Sequence, residues 1–397
     1  MKIKRLVKSA EKMLRKTRVH GLAAARELAW TRTRLNLPKN ETFALTDSSP
    51  SVRVVTVDPP EDFERTLPYM PGEIEPHEMF LKERHGQFPA SLVAEFRHGR
   101  FWGFYGGSVF TEDGQLVPEL SKDVWGPRLH TAFVRARLSK PKHLSGLTLS
   151  LVTPEAAANY HHWTIDLLPR AGLAQRAGYT LTDFDHILVK DRGQRFQKEA
   201  FQRLGLDEKK IIHVDDQLHV QCDQLVVPSV RHDNLLVNRQ DMEFTRRLYL
   251  DDRNIPAKPS RRLYVGRADA AFRRVTNNDA LLELLHAHGF EEVAMSKMTV
   301  AEQAKIFADA EILVGPNGSA LANLIFAHPQ CRVVEFFAPR WVVGYNWMIC
   351  SNFGLPYTAI IGEGERPPPG TLPHALKDDI TLDLSLLKTV LENPPAG

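Results

Sequence analysis

Apolar positions along this 397-residue chain change their period near residue 150. Before that point they come in short alternating runs. VRVVTV (52–57) is β-branched and alternates, which predicts a half-buried strand. RFWGFYGGSVFTEDGQLVPEL (100–120) reads as a meander with Asp113-Gly114 as a hairpin turn. Pro59-Pro60, Pro68 and Pro71 mark irregular connections, so this part reads as a small β-rich element. Beyond it the rhythm becomes strand, helix, strand. LTLSLV (147–152) is a strand, NYHHWTIDLLPRAGLAQRAG (159–178) a helix closed by Gly178, and HILVK (186–190) a strand. QRFQKEAFQRLGL (194–206) follows as a helix, then the strands IIHV (211–214) and QLVVPS (224–229).

After a helix over 235–252 and a linker, NIPAKPSR (254–261), the same alternation restarts. RLYVGR (262–267), EEVAM (291–295), EILVG (311–315) and CRVVEFF (331–337) read as strands. NNDALLELLHAHG (277–289), TVAEQAKIFADA (299–310) and ALANLIFAH (320–328) read as helices between them. Alternation of this kind means βαβ units and parallel sheets. The expected fold is α/β: two doubly wound Rossmann-type domains facing across a cleft. The expected divisions are a basic N-terminal segment (1–50), a β-rich element with a first Rossmann-like domain (51–254), and a second Rossmann-like domain (255–397). In such sheets ligands bind beyond the C-terminal strand ends.

Composition changes this picture little. Hydrophobic residues at 43% suffice for a sizeable core, so no metal or disulfide staple is required. The three cysteines, Cys222, Cys331 and Cys350, form no C-x-x-C pair, which argues against a zinc ribbon and fits a reducing cytoplasm. Charge is more informative. Residues 1–35 hold eleven Lys or Arg against Glu11 and Glu27, which leaves the rest of the chain net acidic. Ile3, Leu6, Val7, Ala10, Met13 and Leu14 recur there at helical spacing. A basic amphipathic helix suits an anionic membrane surface; a solvated helix packed on its own protein is the alternative. No apolar run has the length of a membrane span. An acidic body without a recognition motif speaks against nucleic acid as a partner.

Four places carry possible chemistry. The stretch VGPNGSALANLIF (314–326) puts a turn of small residues between a strand and a helix. Gly315 and Gly318 let the backbone approach a ligand, and the N–H groups of Gly318, Ser319 and Ala320 form a helix start that attracts anions. It is neither G-x-G-x-x-G nor a P-loop, and ordinary turn chemistry would also explain it. Arg267 follows a buried strand and is near Arg273 and Arg274 in sequence; guanidinium groups grip phosphate through two parallel hydrogen bonds. One of Arg273 and Arg274 reads as plain surface charge. In NYHHWTID (159–166), Asn159 is a helix N-cap, and His162 and Asp166 share a helix face, suited to general-base work by either. His161 reads as structural. Glu335 ends the strand CRVVEFF, where a carboxylate can accept ribose hydroxyls. Asp183-Phe-Asp185 has the form of a D-x-D metal motif but precedes a strand instead of following one, so no metal is expected.

The order of four blocks resembles glycosyltransferase family 61. They are NYHHW..D (159–166), RLYVGR with RRVTNND (262–279), MTVAEQAKIFADAEILVGPNGSALANLIFAHP (298–329) and VVEFF (333–337). The resemblance runs from about 100 to 390. It implies a GT-B-like architecture and inverting, metal-independent transfer of a sugar from a nucleotide-sugar donor to a polysaccharide or lipid-linked glycan. Arg267, Gly315, Asn317, Gly318, Ser319, Ala320 and Asn323 would then lie on the donor side, with Glu335 at the ribose. Asn159, His162 and Asp166 would lie on the acceptor side, one of the last two as base. A bacterial type acting in capsule or lipopolysaccharide synthesis, on the inner face of the membrane, is the expected setting. The chain departs from the family pattern where Gly-x-His-Gly-Ala is Gly315-Pro-Asn317-Gly-Ser319, and where Asn-Glu is Asn277-Asn278. A non-catalytic glycan- or nucleotide-binding relative is the alternative expectation, and the missing G-x-G-x-x-G counts against a dehydrogenase.

Overall fold

A computed structural model describes residues 42–393 apart from 122–129, 135–137, 230–235, 252, 254 and 268–269. The basic amphipathic helix expected within residues 1–35 lies outside the described residues. Among those described, no helix is long and apolar enough to cross a membrane. The chain separates into two compact units. One comprises the chain up to Pro59 together with Ala90–His232; the other comprises Pro60–Pro89 with Asp233–Gly397.

The first unit is built on a mixed eight-stranded sheet. Its strands are β1 (Val52–Asp58), β2 (Ser91–Arg97), β3 (Arg100–Trp102), β4 (Ser108–Phe110), β5 (Lys142–Ser150), β6 (His186–Val189), β7 (Ile211–His213) and β8 (His219–Pro228). The main order is β1-β2-β8-β5-β6-β7, with β3 and β4 added beside β8. β8, β5, β6 and β7 run parallel, as the strand–helix alternation predicts. β2 is antiparallel to both β1 and β8. β1 to β4 therefore do not form a separate element: β2 and β3 hydrogen-bond to β8, and β1 and β4 join through them.

One sequence reading in this unit needs correction. The helix expected over 159–178 is interrupted: α1 (Tyr160–His162) passes through a π-helical turn (Trp163–Leu167) before α2 (Leu168–Arg176). Asp185 of the D-x-D, where no metal is expected from the sequence, has its carboxylate turned to the neighbouring strand: its Oδ2 accepts from the Leu147 N–H at 2.8 Å. Gly146 makes room for that carboxylate, since a Cβ there would lie 2.0 Å from Asp185 Oδ2.

The second unit holds a five-stranded parallel sheet. Its strands are β9 (Arg261–Tyr264), β10 (Glu291–Glu292), β11 (Ala310–Pro316), β12 (Arg332–Phe337) and β13 (Tyr357–Ile361), in the order β10-β9-β11-β12-β13. The central strands are apolar and almost wholly buried, as expected where helices cover both faces. EEVAM contributes only two strand residues. ALANLIFAH is not an α-helix: Ser319–Phe326 forms a 3₁₀ helix, with six of its eight residues buried. Packing on every side, and not an α-type ladder of its own, fixes that segment. Ahead of this sheet in the chain, Phe80 from the short helix Glu78–Lys82 packs edge-on against Phe337 and Trp347.

Gly146 provides a test of the first unit. Its φ of +81° and the adjacent carboxylate both oppose a side chain. Gly146→Ala is expected to destabilise by about 2–3 kcal/mol through combined strain and crowding. Urea denaturation measures it, and a loss below about 0.5 kcal/mol would contradict the close packing of the Asp185 carboxylate against Gly146.

Candidate active site

In the second unit, the residues nominated from the sequence converge where β9 and β11 end. Arg267 lies three residues past β9, half-buried, and donates from Nη2 to the Phe272 carbonyl at 3.3 Å. The turn after β11 is shaped around this side chain. A Cβ on Gly318 would sit 2.1 Å from Arg267 Nη1. Gly318 has an extended backbone (φ −174°), so space and not conformation requires glycine there. Gly315 serves a second close approach, because a Cβ would meet the Val265 carbonyl oxygen at 2.8 Å. Ser319 and Ala320, at the start of the 3₁₀ helix, remain partly exposed.

Arg273 joins Arg267, and Arg274 proves to be the surface residue, exposed and paired with Asp379. Arg273 holds a left-handed backbone (φ +58°), uncommon for a bulky side chain. Its Nη1 donates to Asn317 Oδ1 at 2.7 Å. Burial and then the neighbouring charge of Arg267 hold its guanidinium down to about 10, against the pull of Glu335. Two like charges are thus kept together at one sheet edge, an arrangement that an incoming anion relieves.

Asn317 is buried and bonded to the protein through its backbone and both ends of its amide. Its backbone N–H donates to the Phe336 carbonyl at 2.8 Å, and its Nδ2 donates to Glu335 Oε1 at 2.7 Å. Glu335 differs from its sequence reading. It lies within β12, flanked in register by Gly315 and Ala359, with no exposed surface. Its Oε1 also accepts from Asn346 at 2.7 Å, and its Oε2 from the Tyr357 hydroxyl at 2.5 Å. With both oxygens engaged and solvent excluded, this carboxylate cannot take ribose hydroxyls. It anchors Asn317, which in turn holds Arg273. Burial pushes Glu335 up to about 7, although Tyr357, Asn346 and Asn317 favour its charged form. Asn323 also leaves the donor-side set: its amide is fully buried and donates to Gln303 Oε1 at 2.6 Å.

The first unit carries the other cluster. Asn159 caps α1, accepting from the His161 N–H at 2.9 Å. His162 Nδ1 meets Asp166 Oδ2 at 2.7 Å across the π-helical turn, and its Nε2 meets Glu155 Oε2 at 2.8 Å. Burial lowers the affinity of His162 for a proton, but hydrogen bonds to Asp166 and Glu155 outweigh it and raise the group to about 9. Two carboxylates, one at each ring nitrogen, thus favour the imidazolium form of His162. His161 is the opposite case: burial, then the His162 charge, hold it down to about 3, so it is neutral. Sequence reading missed Glu155. It is the accessible member of the cluster, with a side chain 37% exposed, and it also accepts from Tyr105 at 3.2 Å. Its left-handed backbone (φ +67°) aims it at His162, and no local sequence signal marks it. Among the described residues no group of three or more His, Cys, Asp or Glu is placed to hold a metal ion.

Residues 160–334 match the family model described as Glycosyltransferase 61. No curated protein matches the chain.

The two raised groups predict a pH dependence of one sign. Glu335 binds its proton more tightly folded (about 7) than at its ordinary value (4.5), so its contribution to stability is complete below 4.5 and lost as pH rises through 7. His162 acts likewise between 6.5 and about 9. Glu335→Gln is expected to flatten the fall in stability from about pH 5 to about pH 7.5, by on the order of 3 kcal/mol. Urea denaturation at constant ionic strength measures it; a variant as pH-dependent as wild type would show that Glu335 titrates normally.

Proposed function

Residues 160–334 are a glycosyltransferase family 61 region, and from this premise we propose that the chain is an inverting, metal-independent glycosyltransferase using a nucleotide-sugar donor. The observation that carries the reading is the pair Arg267 and Arg273 held against the Gly315–Ala320 turn. The donor diphosphate lies there, gripped by two guanidinium groups and by N–H groups at the start of the 3₁₀ helix. Fixed cations and backbone dipoles stabilise the charge that develops on a departing nucleoside diphosphate without needing a metal ion. Asn317 acts on this site as a positioning residue, holding Arg273 through its link to Glu335.

The first unit supplies the acceptor side. An acceptor hydroxyl attacks the anomeric carbon while a carboxylate takes its proton, and the bond to the diphosphate breaks on the opposite face. Glu155 is the proton acceptor in this proposal, because it is accessible and the imidazolium form of His162 is favoured. His162, held in place by Asp166, orients Glu155 and offsets its charge. The GT-B-like arrangement implied by the family resemblance belongs to the same proposal, with the second unit as donor half. A polysaccharide or lipid-linked glycan is the proposed acceptor, and the basic segment 1–35 supports attachment to the inner, anionic face of a membrane.

Two sets of variants separate the roles. Arg267→Ala and Arg273→Ala should each weaken binding of the preferred nucleotide sugar by about tenfold or more, since a charge-assisted pair contributes roughly 1.5–3 kcal/mol. Glu155→Gln should leave donor affinity unchanged and lower kcat by about 100-fold or more. A calorimetric donor screen followed by transfer assays reads both. Full donor affinity in both arginine variants would remove the diphosphate site, and full turnover in Glu155→Gln would remove the base.

A further inference from the structure

Glu155 is held at both carboxylate oxygens, by groups from two different parts of the first unit. Its Oε2 meets His162 Nε2 at 2.8 Å, and its Oε1 accepts from the Tyr105 hydroxyl at 3.2 Å. Tyr105 lies half-buried in the turn 103–107 between β3 and β4, far from Glu155 in sequence. Its backbone is left-handed (φ +52°), as is that of Glu155 (φ +67°). Bulky side chains seldom adopt that conformation, and it persists only where the surroundings impose it.

The surroundings of this turn do impose it. Lys190 Nζ donates to the Tyr105 carbonyl at 2.8 Å and to the Gly103 carbonyl at 3.2 Å, and pairs with Asp216 Oδ1 at 2.6 Å. The same Asp216 oxygen accepts from the Tyr105 N–H at 3.3 Å. A Cβ on Gly103 would lie 2.3 Å from the Asp215 carbonyl oxygen, so the turn packs directly on the chain beyond β7. Phe104 stacks on Trp102 with ring centroids 5.1 Å apart. Lys190 directly follows β6, Asp215 and Asp216 follow β7, and Glu155 follows β5. The turn is therefore fixed against residues beyond the C-terminal ends of three parallel strands, the edge at which ligands bind in such sheets. Closing a hairpin requires none of these ties; placing the phenol does.

We propose that Tyr105 is a positioning residue of the acceptor side, an inference that rests on reading Glu155 as the proton acceptor. With a donor at each oxygen, the plane of the Glu155 carboxylate is set before an acceptor arrives. Each oxygen keeps a second lone pair for an incoming hydroxyl. As the acceptor oxygen bonds to the anomeric carbon, the diphosphate leaves with the electron pair of the bond that breaks. The acceptor's proton then passes to a carboxylate already aimed at it. The Tyr105 bond is long for O–H···O, and hydrogen bonds of this kind tighten when substrate binds.

Tyr105→Phe keeps the ring and removes the hydroxyl; it is compared with Glu155→Gln and with the double variant. Turnover is read as nucleoside diphosphate released from uridine and guanosine diphosphate hexoses, with water or an oligosaccharide as acceptor. Calorimetry with uridine and guanosine diphosphate on the whole protein reads the donor side. Tyr105→Phe should lower kcat by about five- to twentyfold, as for loss of one hydrogen bond to a charged group, with nucleotide affinity and donor KM unchanged. In the double variant the losses should not multiply: its turnover should match that of Glu155→Gln within about twofold, because Tyr105 acts only through Glu155. Full turnover in Tyr105→Phe beside an impaired Glu155→Gln overturns the positioning role and leaves the base standing, and so do losses that multiply. Full turnover in Glu155→Gln removes the base and this role with it. A wild type that turns over no donor with either acceptor sinks the transferase reading, and Tyr105 loses its role along with it.

Discussion

A carboxylate placed in the middle of a buried parallel sheet must be satisfied by the protein or left neutral. Glu335 is such a group, and much of the second unit's functional edge is arranged around it. Asn317, Asn346 and Tyr357 converge on its two oxygens from three successive parts of the chain. Gly315 and Ala359 lie beside it in register. The hydrogen bonds do more than offset burial. They fix the turn after β11 to the start of the helix Tyr345–Phe353 and to β13, so the turn cannot move independently of the sheet.

From that anchor the order passes outward. Asn317 presents its carbonyl oxygen to Arg273, and Gly318 clears the space that Arg267 occupies. Two guanidinium groups are thereby held near one another despite their repulsion. A site pre-organised in this way has little left to reorganise when an anion enters. The first unit poses the inverse problem: there His162 is held between two carboxylates, Glu155 and Asp166.

The resemblance that nominated these positions was carried by short blocks, and the blocks differ in how much they disclosed. The strand–helix alternation was readable because buried parallel strands are nearly continuous apolar runs. Arg267 and the turn at 315–320 were readable because strand ends and small residues are local features. Glu335 was found but misread. Its position in CRVVEFF is the same whether the carboxylate faces a ligand or the interior, and the difference lies in Tyr357 and Asn346, which come later in the chain. Asn317 first stood out as a departure from the family pattern, and its geometry makes it the link between a buried acid and an arginine. Glu155 was invisible, because its role comes from a left-handed backbone and a hydrogen bond across a loop.

The sequence by itself determined the α/β class, the parallel strands, the family resemblance and the chemical types available at two sites. Periodicity, small-residue turns and block order are local quantities, and local quantities survive in a linear string. Tertiary structure alone decided which of Arg273 and Arg274 turns inward, that His162 lies between two carboxylates, and that Glu335 is an anchor. Each of those outcomes depends on burial and on partners distant in sequence, and burial sets both the charge of a group and the cost of leaving it unpaired.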